Sequence, residues 1–202
     1  MHAVAPVYLF NAQPSWTIFY WVSFFAFFAI TSWVQRIERS GPRGEVRDRG
    51  SKPLIYVASF AAAAAAFAAP AFVPWARIDL PPQPLFITAM TMFWAGALLY
   101  YWAVRTLGAF FRTSVTLLDG QKLVTRGPYR LLRHPAYTGG ILLFGGVGLS
   151  TGNWISFAAA LLAVGLAYAW RIHVEEIALR ERFGAEFDAQ RRRTWAVFPF
   201  IW

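Results

Sequence analysis

Three uninterrupted apolar runs, each about as long as a bilayer is thick, constrain this chain more than any other feature. They occupy residues 16–34, 54–73 and 85–104, and none contains a charged residue. A helix of about 20 apolar residues crosses the hydrocarbon core of a membrane. Two shorter apolar stretches, residues 138–149 and 154–170, are joined by four residues and predict a helical hairpin. The sequence therefore predicts an all-α integral membrane protein with five transmembrane helices, the last two forming that hairpin.

The distribution of basic residues predicts the orientation of these helices. A net charge of +9 is typical of nucleic-acid binding, but 57% of the residues are hydrophobic and only 14% are charged. Six Lys or Arg residues lie in each of three segments, residues 35–52, 105–136 and 171–193, and only Arg77 lies elsewhere. Because basic loops stay on the cytoplasmic side, the N-terminus is predicted outside and the C-terminus in the cytoplasm. Membrane lipids are the expected surroundings, and nucleic acid is not an expected partner.

Several chemistries are excluded by composition. The chain has no cysteine, which excludes disulfides and thiolate nucleophiles, and His2, His134 and His173 are too widely spaced to suggest a metal site. No basic region precedes the first apolar run, so we predict a retained span rather than a signal peptide. The expected location is the cytoplasmic (inner) membrane, or the endoplasmic reticulum membrane if the source is eukaryotic.

A polar segment, residues 126–139 (RGPYRLLRHPAYTG), interrupts the apolar second half of the chain. Pro128 and Pro135 stiffen it and bias the residues before them away from helix, so Gly127 and His134 are predicted in turns. The segment offers phenols, guanidiniums and an imidazole, namely Tyr129, Arg130, Arg133, His134 and Tyr137. It is either a loop that contacts lipid headgroups or a binding site, and the histidine and tyrosines favour a binding site.

A second polar cluster begins where the fifth apolar stretch ends. Arg171 and Glu175 are four residues apart, on one face of a helix, and form either a salt bridge or a pair of ligand contacts. Because Glu175 and Glu176 follow directly after the hydrocarbon, at least one carboxylate is predicted to point into the protein. In the five-helix topology this cluster faces residues 127–139 on the cytoplasmic side. Glycines 139, 140, 145, 146 and 148, by contrast, predict close helix packing.

Five short motifs, in order, resemble the isoprenylcysteine carboxyl methyltransferase family, which is related to the phospholipid N-methyltransferases. They are LVTRGPY at 123–129, RHPAYTG at 133–139, EEIAL at 175–179, FG at 183–184 and PFI at 199–201. The resemblance covers residues 111–202 and implies a methyltransferase core made of a cofactor loop, the hairpin 138–170 and a cytoplasmic C-terminal helix. Residues 1–110 would hold the first three helices and the basic cytoplasmic loop 35–53.

The resemblance implies an S-adenosylmethionine-dependent methyltransferase acting at the cytosolic face. The acceptor would be the carboxylate of a lipophilic, isoprenylcysteine-like small molecule or prenylated partner that enters from the bilayer. Arg171 falls at the family's substrate-binding, catalytic arginine and would make a paired guanidinium contact with that carboxylate. No metal is implied. The implied cofactor-binding residues are Gln121, Lys122, Leu123, Val124, Tyr129, His134, Pro135, Ala136, Tyr137 and Glu175.

Departures from the family pattern leave the acceptor open. Phe187 and Gln190 stand where the family often has tyrosine, and Thr194-Trp195 replaces a Val-Pro pair in a tail that could line the substrate entrance. The alternatives are a phospholipid-amine or small-thiol methyltransferase, an NADPH-dependent sterol reductase, whose family carries a motif similar to RHPxYxG, and a non-enzymatic scaffold. The two adjacent glutamates disfavour the reductase because they would repel the phosphates of a nicotinamide cofactor.

Overall fold

The computed structural model describes residues 8–39 and 44–200 and consists mainly of helices. Within these residues the six α-helices are α1 (Pro14–Arg39), α2 (Ser51–Phe72), α3 (Pro82–Leu107), α4 (Pro135–Leu149), α5 (Trp154–Phe183) and α6 (Ala185–Arg191). Four short 3₁₀ turns, Leu9–Asn11, Pro74–Ala76, Gly108–Phe110 and Gly127–Arg130, lie between or before them. The prolines follow their usual preference, because Pro82 and Pro135 each occupy the first turn of a helix.

Four segments of the described chain are long and apolar enough to cross a membrane. They are Pro14–Arg36, Ser51–Phe72, Pro82–Phe110 and Trp154–Phe183. The fourth predicted span corresponds to α4, whose 15 residues rise only about 22 Å, less than the roughly 30 Å of a hydrocarbon core. The described part of the chain thus has four spanning-length helices and one shorter apolar helix, and the five-span topology stays a prediction.

Close helix packing explains the glycines of α4, as the sequence predicts. A Cβ added to Gly139 would lie 2.7 Å from the carbonyl oxygen of Gly96 in α3, and one added to Gly146 would lie 2.6 Å from the amide nitrogen of Phe93. On the other side of α4, Gly140 faces the ring of Tyr168 in α5. Because no side chain intervenes on the α3 side, α4 packs on α3 at backbone contact distance, while the Tyr168 ring of α5 fills the space above Gly140.

The alanine-rich helix α2 packs on α5 in the same way. Ala62 and Ala66 are fully buried, and the Ser156 hydroxyl donates to the Ala66 carbonyl at 2.7 Å. At the start of α5, Asn153 accepts hydrogen bonds from the backbone N–H groups of Ile155 and Ser156 and so caps the helix. The predicted hairpin of α4 and α5 is therefore confirmed, with residues 150–153 as its connection.

A small sheet departs from the all-α prediction. Strand β1 (Gly44–Val46) pairs antiparallel with strand β2 (Thr116–Leu118), with Glu45 opposite Leu117. The backbone N–H of Arg47 continues the pairing by donating to the Val115 carbonyl at 2.8 Å. The sequence contains no alternating run long enough to signal either strand. The sheet ties the loop before α2 to the segment that follows α3.

The C-terminal tail packs against the start of α4 and against α5. The charged segment 171–193 is divided between two helices, because α5 ends at Phe183 and the next residue, Gly184, has a φ of +50°, a value that favours glycine. Trp195 and Ala196, which follow α6, accept hydrogen bonds at their carbonyls from the backbone N–H groups of Arg133 and His134. Val197 is buried in a cluster with Ile172, whereas residues 201–202 lie outside the described part of the chain.

Candidate functional site

A cavity of about 230 Å³ opens among α2, α3, α5, the segment after α3 and the start of α4. Every residue that the sequence predicts for the cofactor or substrate site lines it, except Pro135, which is buried in the first turn of α4. Its apolar side includes Ile55, Leu107 and Phe110. The cavity therefore combines a polar wall from the predicted motifs with an apolar wall from the helices, an arrangement suited to a ligand with both characters.

Residues just before α4 and in its first turn form part of the polar wall of the cavity. His134 has a φ of −126° and a ψ of 57° and caps α4 just before Pro135, so it is non-helical, as the proline predicts. Its imidazole stacks on the ring of Tyr137 with 5.6 Å between the centroids, and Tyr137 stacks on Tyr168 of α5 at 4.9 Å. The rings of His134, Tyr137 and Tyr168 thus form a continuous stack along one wall of the cavity.

Glu176 neutralises the basic residues behind this wall. Its carboxylate accepts from Nε of Arg133 at 2.8 Å and lies 3.3 Å from Nε2 of His134 and 3.7 Å from Nε of Arg191. Arg133 also donates to the carbonyl of Thr194 in the tail. Of the two adjacent glutamates, Glu176 is the one that points into the protein, and it holds the RHP turn against α6 and the tail.

Glu175 has a different environment and faces the cavity. Its Oε2 accepts a hydrogen bond from the Tyr137 hydroxyl at 2.6 Å and lies 3.8 Å from Nδ1 of His134. Across the described residues, no lysine or arginine forms an ion pair with it. A partly exposed carboxylate with no permanent cationic partner is suited to a cationic ligand.

Arg171 is buried, with only 2% of its surface exposed, and its partners differ from the predicted ones. Its Nη1 donates to the Asp48 carboxylate and to the Ser51 hydroxyl, its Nη2 to the Thr113 carbonyl and its Nε to the Tyr137 hydroxyl. The ion pair is thus with Asp48 and not with Glu175, to which Arg171 is linked only through Tyr137.

The contacts of Arg171 within the protein limit what its guanidinium can offer to an acceptor carboxylate, and the paired contact stays a prediction. A guanidinium has five N–H groups, and four of those of Arg171 have acceptors. A paired contact needs two parallel N–H groups. In this conformation Arg171 has a single N–H group left, so a paired contact would require the release of Asp48 or another partner.

Asp48 and Ser51 do not line the cavity but bind Arg171, which does, and the sequence indicated residues 35–52 only as a basic loop. The available signal was an Asp and a Ser beside a glycine just before an apolar run, a pattern typical of helix starts. Burial alone would raise the pKa of the Asp48 carboxyl. The hydrogen bonds from the N–H groups of Lys52 and Val115, and the charge of Arg171, outweigh burial and hold that pKa below its usual range.

The remaining predicted residues complete the cavity. Burial, with the nearby charge of Glu175, raises the pKa of the Tyr129 phenol above its usual range, so this group is a hydrogen-bond donor at neutral pH. The amide of Gln190 donates to the carbonyl of Val124 at 3.3 Å and holds the segment 121–124 against α6. Phe187, the other departure from the family pattern, is buried and also lines the cavity.

Comparison with known proteins identifies relatives of this chain. The model of the family described as phospholipid methyltransferase matches residues 85–186. A probable protein-S-isoprenylcysteine O-methyltransferase of Oryza sativa subsp. indica is 35% identical over 101 residues, 49% of this chain and 53% of that protein. The cobalt-zinc-cadmium resistance protein CzcN of Cupriavidus metallidurans is 42% identical over 85 residues, 41% of this chain and 39% of that protein.

A solved structure is similar as well. It is that of the eukaryotic intramembrane Ras methyltransferase ICMT, an isoprenylcysteine carboxyl methyltransferase, with a TM-score of 0.61 and 25% sequence identity. The similarity covers 74% of this chain and 53% of that one. The chain thus spans about half the length of the isoprenylcysteine methyltransferases that it matches.

Proposed function

The chain belongs to the phospholipid methyltransferase family, with the isoprenylcysteine carboxyl methyltransferases among its relatives, and from this premise we propose an S-adenosylmethionine-dependent methyl transfer to a lipophilic acceptor. The reaction would take place at the cytosolic face of the membrane. The single observation that carries the proposal is Glu175, a carboxylate that faces the cavity without a lysine or arginine partner among the described residues.

The residues of the cavity fit this cofactor. Its sulfonium and ammonium groups require carboxylate and aromatic faces, which Glu175 and the stacked rings of His134 and Tyr137 offer. Tyr129 adds a phenol, and residues 121–124 add backbone groups. When bound, S-adenosylmethionine supplies an electrophilic methyl group, so the protein needs no metal and no covalent intermediate.

The contribution of the protein is to position the reactants and exclude water. The Tyr137 hydroxyl accepts a hydrogen bond from Nε–H of Arg171 and donates one to the Glu175 carboxylate. These two hydrogen bonds fix both charged groups relative to the stacked rings. The apolar wall of Ile55, Leu107 and Phe110 excludes water and accommodates the hydrocarbon part of an acceptor. Holding two reactants in line can account for a large part of a rate enhancement.

We propose an acceptor of the isoprenylcysteine type, whose carboxylate would meet the remaining N–H group of Arg171. A lipid amine or small thiol is the second candidate. Two observations favour it: the family description names phospholipids, and Asp48 already neutralises Arg171, so the site does not depend on an anionic acceptor.

The proposed topology has five membrane helices, with the N-terminus outside and the C-terminus in the cytoplasm. Three basic segments of six Lys or Arg each support it, because an odd number of spans puts them all on one side. Residues 111–202 would then form the methyltransferase core, and both polar clusters would face the cytosol.

Calorimetric titration of the detergent-purified protein tests the cofactor. We expect binding of S-adenosylmethionine and none of NADPH, and the reverse result would favour the reductase. Methyl transfer from labelled cofactor to N-acetyl-S-farnesylcysteine, compared with transfer to phosphatidylethanolamine, then tests the acceptor. Labelling of the phosphatidylethanolamine alone would establish the second candidate.

A further inference from the structure

Two opposite charges, Arg171 and Glu175, lie one turn apart on α5 and do not pair. Residues at positions i and i+4 of a helix are neighbours, and an arginine and a glutamate at that spacing attract each other. Arg171 instead pairs with Asp48, which lies 123 positions earlier in the chain. The structure must therefore contain something that makes the distant partner preferable to the local one.

The carboxylate of Asp48 is held in place independently of Arg171. Positive φ angles at Arg49 (+45°) and Gly50 (+75°) turn the chain so that Asp48 folds back over the start of α2. There its Oδ2 accepts from the N–H of Lys52 at 2.8 Å, and its Oδ1 from the N–H of Val115 at 3.1 Å. Only 13% of the side chain is exposed. The turn thus presents a fixed, largely buried anion to α5.

Two further groups hold the guanidinium on that side. The Ser51 hydroxyl accepts from Nη1 at 2.7 Å, and the Thr113 carbonyl accepts from Nη2 at 2.8 Å. The sheet of β1 and β2 joins the two segments that carry these acceptors. Arg171 thus donates to three acceptors on the two segments that the sheet joins, and among the described residues Tyr137 is its acceptor on the side of Glu175.

We propose that Asp48 is a positioning residue that retains Arg171 in an ion pair and thereby keeps the Glu175 carboxylate available for the cationic cofactor. This inference rests on the proposed function and deepens it. It assigns a role in the site to a residue of the N-terminal half, outside the residues 85–186 that the family model matches. Without the Asp48 charge, the buried Arg171 would need another anion, and Glu175 is the carboxylate within reach on the same helix face.

The direct test is Asp48→Asn, which removes the charge and preserves the shape. We expect the dissociation constant for S-adenosylmethionine, measured by calorimetry, to rise about tenfold, because Arg171 then competes with the cofactor for Glu175. Glu45→Gln is the matched control, since Glu45 is an exposed carboxylate of the same loop that pairs with Arg47. We expect its affinity to stay within about twofold of the wild type.

A second substitution distinguishes positioning from a purely structural role. If Asp48 acts through Arg171, Arg171→Gln in the Asp48→Asn background removes the competing cation. The affinity of the double variant should then lie within about threefold of that of Arg171→Gln alone. The double variant removes both buried charges together, so this comparison remains decisive even if Asp48→Asn alone does not fold.

The outcomes separate the two proposals. If the wild type does not bind S-adenosylmethionine, the proposed function fails and this inference fails with it. If the wild type binds, but a folded Asp48→Asn binds equally well, the positioning role of Asp48 alone is overturned. The same holds if the double variant binds much more weakly than Arg171→Gln.

Discussion

Replacement of each of the two adjacent glutamates of α5 by glutamine separates ligand binding from folding in this protein. Both substitutions remove one negative charge from the same turn of helix and keep nearly the same volume. Glu175 contacts the Tyr137 hydroxyl and faces the cavity, whereas Glu176 contacts Arg133, His134 and Arg191. We therefore expect Glu176→Gln to lower the stability of the protein and Glu175→Gln to lower its affinity for the cofactor.

The loss of stability should fall on Glu176→Gln. Arg133 has only 6% of its side chain exposed, and the substitution leaves its guanidinium without a counter-charge. Breaking a buried ion pair costs about 3–5 kcal/mol. Because the glutamine oxygen can still accept one hydrogen bond, we expect about 3 kcal/mol, a fall in the unfolding midpoint of roughly 6–12 °C for a chain of this size.

The loss of affinity should fall on Glu175→Gln. The proposed cationic cofactor would lose a charged hydrogen bond worth about 1.5–3 kcal/mol, a ten- to hundredfold rise in the dissociation constant. Stability should change little, because the Glu175 side chain is 31% exposed and the Tyr137 phenol can donate to a glutamine oxygen equally well.

Thermal unfolding in detergent and calorimetric titration with S-adenosylmethionine, carried out on both variants, decide the matter. The wild type and the Glu45→Gln control provide the baselines. A Glu175→Gln variant with unchanged affinity would refute the assignment of this carboxylate to the cofactor. An equal loss of affinity in both variants, at unchanged stability, would refute the division of roles between the two glutamates.

Three further predictions concern Arg171, Asp48 and the membrane topology. Arg171→Lys keeps the charge but loses the planar donors of the guanidinium. Turnover should therefore fall about tenfold, while the affinity for S-adenosylmethionine should change less than threefold. A parallel loss of turnover and affinity would mean that Arg171 acts on Glu175 through Tyr137. Because the pKa of Asp48 is lowered in the folded protein, its contribution to stability is complete above about pH 4 and is lost as the pH falls through the lowered value. Unfolding midpoints of the wild type should therefore drop over that acidic range more steeply than those of Asp48→Asn, and parallel curves would contradict this. A topology reporter fused after residue 202 should be cytoplasmic and one inserted near Asp79 should not, and a cytoplasmic signal at Asp79 would exclude the five-span topology with the N-terminus outside.

The sequence by itself determined the features that depend on local chemistry. Uninterrupted apolar runs predict spanning helices because a bilayer demands about 20 apolar residues, whatever their partners. Pro128 and Pro135 restrict their neighbours directly, so the turn at His134 could also be predicted. The glycines of α4 indicated close packing because small residues at membrane depth leave room for a neighbouring backbone.

Only the tertiary structure decided which partners the charged residues take. Successive residues of a helix point about 100° apart, so one of Glu175 and Glu176 had to turn away from the cavity, but the choice depends on how α5 is rotated against α4 and the tail. The pairing of Arg171 with Asp48 depends on a turn and a two-stranded sheet that bring together segments far apart in the chain. A buried ion pair of this kind is set by the geometry of three segments at once, and no local pattern encodes it.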